Sequence, residues 1–302
     1  MMKKSLTAIV ISHILLTVLV VVVLLPSGKP TVSPAAMLCA VALAECYYLY
    51  QLLRSKIAAR IVSELVCILW CFLLLWETMV TKFNMMQPVL FPAPENVFNV
   101  FATQYPVMLS GIVSSLSLLT AGLLLGIGLG VFLGLFAGSS VHLSGVFSPI
   151  AQLFAQIPPI IYSPYLVAIM PTFRSASALV IFLGIFFPTF LNMVLRVRRI
   201  EPKIVDTART MGLRGSALVF KVFLPYVLPE VIGRLKITLS TSIMLLLFAE
   251  MMGATSGMGY YIVNYVHYAN YTNVVAGIIL VGLVITLLNK VVDVIQQKTL
   301  IT

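Results

Sequence analysis

Side chains able to do acid, base, nucleophilic or metal chemistry are scarce in this 302-residue chain, which has three His, four Cys and nine Asp plus Glu. His13, His142 and His267 are scattered along it. No G-x-x-x-x-G-K-[ST], H-E-x-x-H or G-x-S-x-G occurs, so neither a P-loop, a zinc protease helix nor a nucleophile elbow is signalled. Cys67 and Cys71 fall one helical turn apart, but no His or Asp stands near to complete a metal set, and they read as buried thiols. Glu45 and Glu250 stand out because each lies within an apolar run. A carboxylate there is costly unless it is protonated, paired or turned toward an aqueous cavity. Each is therefore either an ion-carrying group or a paired structural one. No catalytic constellation and no metal site is expected, and the chain reads as a non-enzyme.

The elements that position these groups are membrane spans. Hydrophobic residues make up 61% of the chain and charged residues 9%, against about 25% charged in soluble domains. The net charge of +10 does not imply nucleic acid, because the basic residues sit between apolar runs, where they report orientation. Apolar runs cover residues 6–25, 35–53, 61–80, 107–137, 149–170, 176–197, 237–252 and 274–292. Eight spans are predicted in an all-α polytopic membrane protein. Residues 1–60 form an amino-terminal hairpin and residues 61–302 the main transmembrane domain. The first run is longer than the apolar part of a cleavable signal, so an uncleaved span is expected.

Four features give the runs an internal order. Gly122, Gly126, Gly130, Gly134 and Gly138 recur every fourth residue, a bare stripe that lets another helix approach closely and predicts a central span. Pro158, Pro159 and Pro164 must break or kink the run over 149–170, which makes Gln152, Gln156, Tyr162 and Ser163 candidates for lining a pathway. Glu250 joins them toward the outer side, before a flexible run with Gly253, Gly257 and Gly259 that could close a gate. Tyr260, Tyr261, Tyr265, Tyr268 and Tyr271 resemble an outer aromatic belt.

The longest polar interruption spans residues 201–236. Pro202 suits a first helical position and Gly212 the left-handed residue past an end, so a short helix is predicted over 202–211 with an apolar stripe of Ile204, Ala208 and Met211. A second short helix is predicted from 216 to 224, stopped by Pro225, both lying at the membrane surface. With this loop and both termini cytoplasmic, all 19 Lys and Arg except Lys29, Lys82 and Arg174 fall inside, as the positive-inside rule requires.

Asp206-Thr207-Ala208, Gly212 after three more residues, and Val222-Phe223-Leu224-Pro225 after nine more resemble the cytoplasmic E-A-A-x3-G-x9-I-x-L-P loop of permease subunits of bacterial ABC importers. The spacing agrees at every position, with Asp for Glu, Thr for the first Ala and Val for Ile. Phe91-Pro92-Ala93-Pro94, Ile157-Pro158-Pro159 and residues 249–260 look most like the nitrate, sulfonate and taurine branch. The resemblance implies a six-helix type I importer core with the amino-terminal hairpin as an addition, in a bacterial inner membrane. It implies that Asp206, Thr207, Ala208, Arg209, Met211, Gly212, Leu224 and Pro225 form a coupling element against two separate ATPase subunits. These would hold ATP and magnesium, and this chain would bind no cofactor. A second copy of the chain and a periplasmic or lipid-anchored solute-binding protein would complete the importer, for a small anion such as a sulfonate, taurine or nitrate. The competing class is an ion- or proton-coupled secondary transporter that uses Glu45 and Glu250.

Overall fold

A computed structural model describes the backbone of residues 2–54, 59–87 and 89–300, and the side chains of 7–53, 59–87 and 89–299. Of the basic residues used to orient the chain, Lys56 and the side chains of Lys3, Lys4 and Arg54 lie outside these. The described residues are helical, without strands. Among the described residues, seven helical stretches are long and apolar enough to cross a membrane: 7–24, 35–53, 59–82, 105–139, 173–198, 216–251 and 271–299. The run over 149–170 is instead split between α6 (Val141–Gln156) and α7 (Pro159–Ile169). Ile157 is extended between them, as the residue before a proline must be, so the predicted break is a complete interruption.

The chain divides into two compact units, residues 1–108 with 262–279, and residues 109–261 with 280–302. Within the first unit, α1 (Met2–Leu24), α2 (Ala35–Arg54) and α3 (Ala59–Trp76) share a core of Leu19, Val23, Met37, Val41, Trp70 and Leu73. A buried hydrogen-bond chain ties the three helices: Ser12 Oγ to Tyr48 Oη at 3.1 Å, and Tyr48 Oη to Ser63 Oγ at 2.8 Å. Below Trp76 the helix widens into a π turn, Glu77–Lys82, and α4 (Pro94–Thr103) follows. The Trp76 indole N–H donates to the Pro92 carbonyl at 3.1 Å.

The second unit holds most of α5 (Tyr105–Ser139), then α6, α7, α8 (Phe173–Arg198), α9 (Pro202–Thr210), α10 (Ser216–Leu218), α11 (Leu224–Met251), the start of α12 (Met258–His267) and the end of α13 (Tyr271–Leu300). The glycine stripe of α5 meets α8 in step. A Cβ at Gly126, Gly130, Gly134 or Gly138 would lie 2.9, 2.9, 2.6 and 2.8 Å from the Cβ of Ile185, Thr189, Met193 and Val197 in turn. Both series advance by four, so every turn of α5 offers a bare site to one β carbon of α8. Lipid tails are as apolar as leucine, and packing at this distance is what drives such helices together.

Pro225 does not stop a helix. A π turn over Val219–Phe223 joins α10 to α11, and the Leu224 N–H donates five residues back to the Val219 carbonyl. The wider turn shifts the ladder just before the residue that has no N–H, so the helix runs through Pro225 and Pro229 into the bundle. The second short surface helix is thus the first part of a long span.

Candidate functional site

The loop before that span builds a short rod. Pro202 opens α9, and Gly212 at φ +84° closes it. The Leu213 N–H donates to the Ala208 carbonyl at 3.0 Å and the Gly212 N–H to the Arg209 carbonyl at 3.0 Å, a Schellman turn that satisfies two end carbonyls. Nine residues cannot hold a helix alone in water, and this one is pinned by packing. Ala208 is buried in a core with Leu135, Met193, Val197, Leu218 and Phe223, against which Val205 and Leu213 also pack.

The expected stripe is only partly inward. Ala208 is buried, but Ile204 is 38% and Met211 77% exposed. The rod is rotated so that Val205 takes the second inward place, which leaves the Ile204 and Met211 edge open. Asp206 and Arg209 stand on the other flank of the rod, 3.7 Å apart and more than half exposed, while the exposed Thr207 lies with Ile204 and Met211. Val222 and Leu224 pack on the same core, while Pro225 is exposed. The loop therefore offers one apolar and one charged edge on a support anchored to α5, α8 and α11.

The five pathway candidates are placed unevenly. Gln152 and Gln156 are exposed on α6, and Tyr162 is half-buried on α7. Ser163 is buried with its Oγ 2.9 Å from the Met252 sulfur. Glu250 is fully buried near the end of α11. Its Oε1 accepts from Ser115 Oγ at 2.6 Å and its Oε2 from the Gly259 N–H at 2.8 Å, while Ser115 Oγ accepts from the Met258 N–H at 2.8 Å. One carboxylate thus caps the start of α12 from a neighbouring helix. Gly257, at φ +129°, has no room for a Cβ because the Glu250 carboxyl occupies that place. The flexible run is a tight reversal built around the glutamate.

In the first unit, Glu45 lies 3.2 Å from His13 Nε2. Residues not singled out in the sequence form a second buried polar group there. Glu77 and Glu95 are both buried, and Lys82 Nζ lies 3.1 Å from Glu77 Oε1 and donates to the Leu25 carbonyl at 2.8 Å. Their spacing of five along a π turn hides the pairing from a reading at helical period.

The sequence match now decides the family. A model of the binding-protein-dependent transport system inner membrane component matches residues 126–298, more than half of the chain, including the whole α9 loop. The chain belongs to this family. The putative aliphatic sulfonates transport permease protein of Bacillus subtilis is 27% identical over 59% of this chain and 65% of its own length, a little under two thirds. The taurine transport system permease protein of Escherichia coli is 25% identical over 75% of this chain and 84% of its own. The nitrate import permease protein of Leptolyngbya laminosa is 30% identical over 62% and 67%. An inward-facing structure of the MetNI methionine ABC transporter has a TM-score of 0.54 at 21% identity, covering 65% of this chain and 97% of that one, which shows the fold. The chain is thus a multi-pass inner-membrane permease of the ABC importer type, on the sulfonate, taurine and nitrate branch. The family match displaces the ion-coupled alternative.

Proposed function

We propose that this permease carries a small anion through a path completed by a second copy of itself, and that α9 receives the push of two ATPase subunits. The observation that carries the reading is the position of Met211, an apolar side chain left 77% exposed on a rod whose opposite edge is locked into the bundle. An exposed apolar side chain on a rod that also presents Asp206 and Arg209 suits a protein groove better than water or lipid. Force applied to α9 reaches α5, α8 and α11 through Ala208 and Val205, because close-packed interiors transmit displacement.

The termini and this loop face the cytoplasm, in keeping with the distribution of Lys and Arg. ATP and magnesium belong to the partner, and a periplasmic or lipid-anchored binding protein selects the solute. Purification of the tagged chain from its own membranes tests the reading: an ATP-hydrolysing subunit should accompany it, and Met211→Glu should release that subunit without lowering thermal stability. Full retention by Met211→Glu, with unchanged uptake, would count against docking on α9.

A further inference from the structure

A row of polar side chains lies in the second unit between α8 and α11. Thr189 and Asn192 on α8, with Arg234, Thr238 and Thr241 on α11, line an open cavity of about 190 Å³. None of the five pathway candidates from the sequence lines it. Arg234 is ten residues past the start of α11, roughly 15 Å along that helix and still within the polar stretch over 201–236, and Thr238 and Thr241 follow in the apolar part. The Arg234 side chain is 47% exposed, and a guanidinium turned toward hydrocarbon would be costly. Water, not lipid, is the medium that suits this groove.

Its charge is also defined. Arg234 Nε lies 3.2 Å from Glu230 Oε1, the oxygen that also pairs with Arg196. Two guanidiniums share one carboxylate, which leaves one formal positive charge. Asn192 is held by its own Nδ2, which donates to the Pro188 carbonyl at 2.8 Å, while its Oδ1 accepts from Arg234 at 3.2 Å. The hydroxyls of Thr238 and Thr241 donate to carbonyls one turn back, at 3.2 and 3.0 Å, bonds each can exchange for a passing acceptor. A cation flanked by swinging hydroxyls, in a volume of this size, recognises an oxyanion head group.

We infer that the α8 and α11 groove is a wall of the translocation path and that Arg234 makes it a station for small oxyanions. This rests on the permease reading above and adds to it the residue that selects charge.

The test uses Thr238→Cys and Thr241→Cys in the assembled transporter in membranes, with Cys39, Cys46, Cys67 and Cys71 changed to Ser. Rates of modification are compared for the anionic sulfonatoethyl and cationic trimethylammonioethyl methanethiosulfonates. The anionic-to-cationic ratio should exceed that for free cysteine by roughly three- to thirtyfold, the effect of one nearby charge in a partly aqueous groove. Arg234→Gln should abolish the excess and Arg234→Lys retain it. Asn192→Asp, which adds a negative charge beside Arg234, should also lower it. Cysteines that react only after denaturation would place the groove against lipid or a second copy and overturn the inference, as would a ratio unmoved by Arg234→Gln and Asn192→Asp. Copurification of the ATPase is read on the same samples: its absence would sink the coupling proposal while leaving the labelling ratio interpretable.

Discussion

Ser115 donates to Glu250 across 2.6 Å, linking α5 to the end of α11 in a pocket from which solvent is excluded. The same serine accepts from Met258 and the same carboxylate from Gly259, so two backbone amides of α12 depend on the pair. Glu250→Ala should lower stability in detergent by about 1–3 kcal/mol, since it leaves a buried donor unsatisfied. Glu250→Gln, which keeps an acceptor, should cost less. Thermal unfolding of the purified variants measures both, and equal midpoints for Ala and wild type would refute the cap.

The α5 and α8 contact predicts a position-dependent glycine effect. Gly134→Leu must displace Met193 and the Phe190 backbone, whereas a Cβ at Gly128 meets nothing within 4 Å. Gly134→Leu should cost about 1–3 kcal/mol or prevent assembly, and Gly128→Leu should be tolerated. Folded yield and midpoint temperature of the two proteins decide it, with similar behaviour counting against the stripe as a helix contact.

In the α9 loop, Gly212→Asp places a side chain at φ +84° and should cost about 1 kcal/mol, weakening the Schellman turn that fixes the rod. Ala208→Glu forces a charge into the core shared with Phe223 and should be worse. Both should insert in the membrane, yet an importer assembled with either should hydrolyse ATP in its partner subunits without proportionate uptake. Tight coupling in reconstituted Gly212→Asp vesicles would argue that the turn has no part in transmission.

In the first unit, Lys82→Met would leave the buried Glu77 without its cation, and breaking such a pair costs about 3–5 kcal/mol. Adding Glu77→Gln should restore much of the loss. A double-mutant cycle on thermal stability checks this, and additive losses would show that the lysine and the glutamate do not act together.

Sequence and structure divide the explanation along physical lines. The chain alone determined an all-helical membrane protein, because long uncharged runs admit no other backbone solution in lipid. It determined the α9 rod, because Pro202 and Gly212 act locally through φ and a missing N–H. It also determined the family loop, since spacing is a property of sequence. Tertiary structure decided which face of that rod turns inward, substituting Val205 for Ile204 and Met211, because rotation about a helix axis is set by the neighbouring core. It decided that Pro225 lies within a span, because a π turn one step earlier absorbs the lost hydrogen bond. It also joined Glu250 to Ser115 and Arg234 to Asn192, partners 135 and 42 residues apart, whose meeting depends on how helices pack rather than on anything near them in the chain.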